Sequence, residues 1–323
     1  MSAPNSYLEL VAPDMRLVDE VIARRLSSDV PLVSQVAEYI IQSGGKRLRP
    51  VLLLLVSGAL QHQSPHRHSL AAVVEFIHTA TLLHDDVVDE STLRRGRATA
   101  NELFGNAASV LVGDFLYSRA FQMMVEPGDM RIMQVLADAT NVIAEGEVLQ
   151  LMNMHDASLA EADYLHVIRS KTAKLFEASA RLAAILGQCN TQVEESCATF
   201  GRHLGTAFQI IDDVLDYEGN AAELGKNLGD DLREGKVTLP VIGALQQLNA
   251  DGRARLVAAI EQGDLEHLDE LVALIQQSGG IEVARKAAQN EAQLALNAIA
   301  GLPHNPYTLA LREIATGLLA RRS

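Results

Sequence analysis

Residues 75–90 read EFIHTATLLHDDVVDE, an apolar stretch that runs into three aspartates. Around it, Leu70, Val73 and Ile77 follow one another at spacings of three and then four, which is the period of an α-helix with one apolar face. The same spacing recurs along most of the chain, whereas alternating β-branched runs are few. The sequence therefore predicts an all-α fold.

The apolar periodicity also places the helices. They are expected from Pro50 to about Leu60, at 68–89, 106–125, 129–154, 160–187 and 192–217, and from Leu239 onward with breaks at 249–252, 263, 279–280 and 302–306. Residues 218–238 are Gly-rich and charged, which indicates a loop. Because no Gly/Ser-rich or Pro-rich linker divides the chain, a single helical domain over residues 1–323 is expected.

Composition excludes several classes of protein. With 48% hydrophobic and 21% charged residues the chain is not disordered, and with a net charge of −14 and no long basic run it is not a nucleic-acid binder. The longest apolar run, 51–56 extended to Leu60, is too short to span a bilayer, and the N-terminus is unlike a secretory signal. Cys189 and Cys197 form no CxxC pattern and fit a reducing compartment. We expect a soluble cytoplasmic protein.

The strongest chemical signal is a duplicated cluster, DDVVD at 85–89 and DDVLD at 212–216. On a helix the first and last aspartates of each cluster share a face, and like charges at a helix C-terminus are unfavourable without a cation. One such cluster would indicate a solvated acidic helix end, but two with identical spacing favour Mg²⁺, which prefers carboxylate and phosphate oxygens. The candidate ligands are Asp85, Asp86, Asp89, Asp212, Asp213 and Asp216. A calcium loop is disfavoured because the terminal Glu is missing.

Basic residues lie around both clusters along the sequence. They occur in GGKRLRP at 44–50, RRGR at 94–97, KTAK at 171–174, GKNLGDDL at 225–232 and GK at 235–236. Each of these lysines and arginines, taken alone, is most simply interpreted as a charged surface residue. Together with Mg²⁺ and carboxylates, however, they are what binding of a diphosphate requires.

At this point the sequence resembles the trans-prenyltransferases, the E-polyprenyl diphosphate synthases, over nearly its whole length. The motifs that carry the resemblance are SGGKRLRP at 43–50, EFIHTATLLHDDVVDE at 75–90, LRRG at 93–96, NAASVLVGDFLYSRAF at 106–121, AEGEVLQL at 144–151, SKTAKLFE at 170–177, GTAFQIIDDVLDY at 205–217 and GKNLGDDLREGKVTLP at 225–240. The resemblance implies a single large helical bundle of the isoprenoid synthase type with a central apolar cavity. It also implies a homodimer, and at most peripheral membrane contact for product release.

The family roles carry over where residues match. The resemblance implies that Asp85, Asp89 and Asp212 ligate Mg²⁺ and that the other three cluster aspartates support them. Further implied roles are allylic diphosphate binding by Arg94, Lys171, Lys226 and Lys236, isopentenyl diphosphate binding by Lys46, Arg49, His78 and Arg95, and stabilisation of the allylic cation by Thr172 and Gln209. Alternatively, His78 could be a core histidine whose ring nitrogens are hydrogen-bonded inside the protein. Its position two helical turns before Asp85, on the same face, favours a role in the substrate pocket.

The length of the product should depend on the side chains that precede the first aspartate cluster on the same helix. Ala80 and Thr81 are small, where short-chain farnesyl synthases of the family carry bulk, and the first cluster has no two-residue insertion. A growing chain could then pass along α-helical residues toward Ile77 and end near Met123 and Met124, which would close the cavity. An equal alternative for Met123 and Met124 is that they simply fill the hydrophobic core. The expected product is octaprenyl diphosphate, made from farnesyl diphosphate for respiratory quinones, with nonaprenyl and geranylgeranyl products left open.

The sequence disfavours three rival functions. A class I terpene cyclase would carry an Asn/Asp…Ser/Thr…Glu metal pattern, which has no match around 212–220. A silent regulatory subunit would have lost aspartates or basic residues, and both sets are intact. A simple ion-binding helical scaffold would not need the basic residues.

Overall fold

The computed structural model describes residues 6–42, 44–94, 96–218, 228–263 and 267–321, and these are overwhelmingly helical. The all-α prediction is therefore confirmed. In chain order the elements are α1 (Ser6–Leu26), α2 (Pro31–Gln42), α3 (Leu48–Ala59), α4 (Arg67–Val88), β1 (Leu93–Arg94), β2 (Arg97–Ala98), α5 (Ala100–Phe104), α6 (Asn106–Val125), α7 (Met130–Met152), α8 (Glu161–Ile168), a π-helix (Arg169–Ala173), α9 (Lys174–Leu186), α10 (Thr191–Glu218), α11 (Asp230–Arg233), α12 (Leu239–Gln247), α13 (Ala250–Gln262), α14 (Leu268–Ser278), α15 (Gly280–Ala298), α16 (Pro306–Gly317) and a 3₁₀ turn (Leu318–Ala320).

The structure departs from the predicted elements at several places. Helices α1, α2 and α5 were not predicted, and α11 lies within the range 218–238 that was expected to be a loop, of which 219–227 lie outside the described residues. The helix predicted over 160–187 is divided by the π-helix, which widens the helical turn locally without interrupting the apolar face. The break predicted at 249–252 is instead the two residues Leu248 and Asn249. The Asn249 side chain accepts a 2.8 Å hydrogen bond from the Gly252 N–H, which lets α13 begin at Ala250. The antiparallel hairpin of β1 and β2 follows the first aspartate cluster where no strand was expected.

The described residues pack into two compact units, each assembled from three segments of the chain. The first comprises 1–140, 175–201 and 298–314, and α4 is its central helix, packed against α1, α3 and α6. Leu52, Leu55 and Phe76 are fully buried in its core. The Ser109 hydroxyl donates to the Leu83 carbonyl at 2.9 Å, which ties α6 to the last turns of α4.

The second unit comprises 141–174, 202–297 and 315–323. Its core gathers around Ile210, Ile211 and Val214 on α10, with residues of α8, α12, α14 and α15 packed on them. Gly243 and Gly280 let α12 and α15 approach backbone to backbone, since a Cβ on Gly243 would come 2.9 Å from the Cα of Gly280. The single-domain organisation over 1–323 stays a prediction.

No helix among the described residues is both long and apolar enough to cross a bilayer.

Candidate active site

The first aspartate cluster occupies the last turn of α4. The Asp89 N–H donates to the Asp85 carbonyl at 2.8 Å, so the two residues lie one helical turn apart on one side of the helix, and both side chains are half-buried. Asp86 points the other way and is fully buried. The expected sharing of a face by Asp85 and Asp89 is what the backbone shows.

Asp86 is held by the hairpin that follows the cluster. Its Oδ1 accepts from Arg94 Nε at 2.8 Å and lies 2.6 Å from Arg94 Nη2, which is a two-pronged guanidinium contact. Its Oδ2 is buried with no hydrogen-bond partner among the described residues. Arg94, expected at the allylic diphosphate, is thus paired with a buried aspartate in this structure.

The second cluster lies near the end of α10, and its three aspartates have three different surroundings. Asp212 is half-exposed, and its Oδ1 lies 3.4 Å from Nη2 of Arg321, whose guanidinium also stacks on the Phe208 ring. Asp213 and Asp216 are buried. Asp212 is therefore the member of this cluster that the fold leaves most accessible to a ligand.

Asp216 fastens the segment that follows α10 in the second unit. Its Oδ2 accepts from the Asp231 N–H at 3.0 Å, and its carbonyl accepts from the Gly229 N–H at 2.9 Å. These bonds position α11 and, after it, Lys236, whose Nζ lies 2.6 Å from Glu234. The buried carboxylate thus organises a loop in addition to any part in metal binding.

A chain of hydrogen bonds joins Asp213 to three neighbouring side chains. Thr172 Oγ1 donates to Gln209 Oε1 at 2.9 Å, and Gln209 Nε2 donates to Asp213 Oδ1 at 2.8 Å. The Tyr164 hydroxyl donates to Asp213 Oδ2 at 2.5 Å. Burial raises the pKa of Asp213 well above its ordinary value, and the Asp231 charge raises that pKa further; the bonds from Tyr164 and Gln209 oppose both effects because they favour the ionised carboxylate.

The π-helix presents two of the predicted site residues. Lys171 Nζ lies 2.5 Å from Glu147 Oε2 on α7, and Thr172 is buried. Gly146 permits the close approach of α7, because a Cβ there would come 2.8 Å from the Lys171 backbone nitrogen. A short π-helix of this kind often occurs at a functional site, since it changes the direction of the side chains without ending the helix.

These residues border a cavity of ≈ 130 Å³ in the second unit. Of the predicted site residues it brings together Lys171, Thr172, Gln209, Asp213 and Lys236. The cavity also has lining residues that the sequence reasoning missed, namely Gln150, Asn153, Tyr164 and Asp231. Asp231 could have been found, because it follows Gly229 and Asp230 within a motif already quoted, whereas Tyr164 carried no signal.

The predicted isopentenyl diphosphate residues lie in the first unit. Lys46 is exposed just before α3, and the Arg49 guanidinium lies 4.7 Å above the Phe176 ring. His78 is half-buried on α4, which agrees with either reading made of it. Arg95 and Lys226 lie outside the described residues.

The predicted chain-length residues are also in the first unit. Ile77 and Ala80 on α4 and Met123 and Met124 at the end of α6 are all buried, as is Leu136 on α7. Thr81 is half-buried, and its hydroxyl donates to the His78 carbonyl at 2.7 Å. Burial fits both a tunnel lining and core filling.

The carboxylates of each cluster, taken separately, fit a divalent cation whose coordination is completed by substrate oxygens. Among the described residues no three carboxylate, imidazole or thiolate side chains converge as a ready metal site. Asp85, Asp89 and Asp212 nevertheless offer carboxylate oxygens that are not fully buried. Mg²⁺ in proteins is commonly held by one or two carboxylates together with substrate phosphates and water, and such a site needs no all-protein cage.

Comparisons with known proteins show what the whole chain is similar to. The chain is 51% identical to an octaprenyl diphosphate synthase of Haemophilus influenzae over 95% of its own length and 94% of the relative's. It is 50% identical to the octaprenyl diphosphate synthase of Escherichia coli K12, with 95% of both chains covered. A crystal structure of a polyprenyl synthase from Caulobacter crescentus CB15, complexed with calcium and isoprenyl diphosphate, superposes with a TM-score of 0.96 at 43% identity and covers 100% of this chain and 99% of the other. The family model described as polyprenyl synthetase matches residues 30–277, and this chain belongs to that family.

Proposed function

We propose that this chain is an octaprenyl diphosphate synthase that adds isopentenyl diphosphate units head to tail onto an allylic primer, farnesyl diphosphate. The observation that carries the proposal is identity of about one half, over nearly the whole length, to two octaprenyl diphosphate synthases. The product would serve as the all-trans side-chain precursor of respiratory quinones, made in the cytoplasm.

The reaction requires that the C–O bond of the allylic diphosphate ionise. Bound Mg²⁺ would supply the charge that stabilises the departing diphosphate. Asp85, Asp89 and Asp212 would hold the cation, with Asp86, Asp213 and Asp216 in support. The Caulobacter polyprenyl synthase is complexed with calcium and isoprenyl diphosphate, which supports dependence on a divalent ion.

The basic residues would bind the two diphosphates. Lys171 on the π-helix and Lys236 after α11 line the same cavity, so both ammonium groups can approach one allylic diphosphate there. Arg94 and Lys226 would complete that set. Lys46, Arg49, His78 and Arg95 would hold isopentenyl diphosphate.

Thr172 and Gln209 would stabilise the allylic cation through their side-chain oxygens, which lie 2.9 Å apart in the cavity. The double bond of isopentenyl diphosphate attacks this cation and forms the new C–C bond. The proton that is then lost from the adduct goes to the released diphosphate. No protein base is required for this step.

The chain would act as a homodimer. Leu111, Phe121 and Val125 on α6 are large apolar residues that are 66%, 41% and 52% exposed, which is a face suited to a second copy. Peripheral membrane contact would be needed at most for release of the long product.

Activity of a lysine variant with a matched control tests the site. Lys171→Ala should lower kcat/KM for farnesyl diphosphate by about 10- to 100-fold, because a charged contact to the diphosphate is lost. Lys174→Ala, three residues on and outside the cavity lining, should change it less than about threefold. Equal losses in both variants would contradict the assignment of Lys171, and absence of any elongation by the wild-type protein with Mg²⁺ would favour a silent subunit.

A further inference from the structure

The four side chains at the second cluster form an ordered hydrogen-bonded chain whose direction is fixed by chemistry. Asp213 accepts at both of its carboxyl oxygens, from Tyr164 at Oδ2 and from Gln209 at Oδ1, so the Gln209 amide turns its Nε2 toward Asp213. The amide oxygen then lies on the opposite side, where Thr172 Oγ1 donates to it at 2.9 Å. Without Asp213 the amide could rotate by half a turn and present NH₂ to the cavity.

The Tyr164 hydroxyl completes the anchor at the other carboxylate oxygen. It approaches Asp213 Oδ2 at 2.5 Å, and both side chains are almost fully buried, 3% and 4% exposed. Oδ1 and Oδ2 of Asp213 are therefore each engaged by a donor inside the protein. Gln209 and Asp213 are four residues apart on α10 and share a face, so fixing one fixes the other.

We propose that Asp213 orients Gln209 rather than ligating metal, and that Tyr164 is a positioning residue that holds Asp213 in place for this purpose. The proposal rests on the proposed function, in which the Gln209 oxygen faces the allylic cation. A cation is stabilised by an oxygen and repelled by an NH₂ group, so the orientation of this amide affects the transition state and leaves ground-state diphosphate binding almost unchanged.

A double-mutant cycle tests the role of Tyr164. Tyr164→Phe should lower kcat by about tenfold and leave KM for isopentenyl diphosphate almost unchanged. The melting temperature should fall by a few degrees, because a buried oxygen of Asp213 loses its donor. In a Gln209→Ala background the same Tyr164 change should have less than about a twofold effect, because its influence passes through the missing amide. A full tenfold effect in that background would overturn the proposal.

Tyr217→Phe is the matched control. Tyr217 is fully buried in the same core, and its hydroxyl makes no hydrogen bond to Asp213 or Gln209 within the described ranges. The variant should retain kcat within about twofold. A loss equal to that of Tyr164→Phe would show that any buried hydroxyl here matters, which also overturns the proposal.

Metal binding supplies a readout independent of turnover. We would titrate Mn²⁺ by electron paramagnetic resonance into protein saturated with a non-reactive thiolo analogue of farnesyl diphosphate. Asp213→Asn should bind as many Mn²⁺ ions as the wild type, and Asp212→Asn should bind fewer. Loss of an ion in Asp213→Asn would overturn the proposal, whereas an unchanged count in Asp212→Asn would instead contradict the metal site of the proposed function.

Discussion

Ala80→Tyr is the sharpest test of how product length is set. Ala80 is fully buried on α4 and lies five residues before Asp85, a depth of about 7.5 Å at ~1.5 Å per residue. One isoprene unit contributes four C–C bonds to the chain, with a contour of about 6 Å at ~1.5 Å per bond. The depth from Asp85 to Ala80 is thus about one isoprene unit, which is less than the three units of the farnesyl primer. A ring placed at Ala80 should therefore stop growth at or before the first addition and reduce the dominant product from forty carbons to at most twenty.

The same substitution distinguishes a tunnel from a packed core, because Ala80 has no exposed surface. If it faces a tunnel, the tyrosine ring fills empty space at little cost in stability. If it faces packed side chains, overpacking costs about 1–3 kcal/mol and should lower Tm by several degrees.

The assay incubates each variant with farnesyl diphosphate, labelled isopentenyl diphosphate and Mg²⁺, resolves products by chain length and records Tm in parallel. Ala80→Ser, which barely changes side-chain volume, is the control and should keep the wild-type product. A full-length product from a folded Ala80→Tyr enzyme, accompanied by a fall in Tm, would refute the tunnel at this position.

Three further outcomes are expected. Gly146→Ala should cost about 1–3 kcal/mol of stability and raise KM for farnesyl diphosphate, since its Cβ would press on the Lys171 backbone; calorimetry and kinetics measure both effects, and an unchanged KM would contradict them. Glu291 is buried, which alone would raise its pKa, but its bonds to His203 and Arg169 lower the pKa overall. Its stabilising contribution is therefore complete above the unfolded pKa of about 4.5 and is lost as pH falls through the lower folded pKa. Glu291→Gln should accordingly show a shallower fall of Tm with acidification in scanning calorimetry, and a parallel curve would argue against this account. Chelation with EDTA should abolish elongation and added Mg²⁺ restore it, whereas activity that persists after chelation would contradict metal dependence.

The sequence predicts the helices best where they carry a long apolar face. The bounds of α6 match the predicted range 106–125, and α4 differs from the predicted 68–89 by one residue at each end. The identical spacing of the two aspartate clusters likewise places Asp85 and Asp89 on one side of α4, because the helical period alone determines that relation.

The identical spacing of the two clusters does not determine what surrounds each aspartate, and the sequence does not predict those surroundings. Asp89 is half-buried beyond the end of α4, whereas the matching Asp216 is fully buried and binds the segment after α10. Tyr164 is 49 residues from Asp213, and the hairpin that holds Arg94 against Asp86 has strands of two residues each, too short to show a period. The sequence does not predict the π-helix either, because a single widened turn leaves the apolar periodicity of the helix unchanged.

Product analysis of the purified wild-type protein tests the central claim most directly. Farnesyl diphosphate, labelled isopentenyl diphosphate and Mg²⁺ are incubated with the enzyme, and the products are separated by chain length. The account predicts a dominant forty-carbon all-trans diphosphate. A dominant product of fifteen or twenty carbons, or no elongation at all, would contradict it.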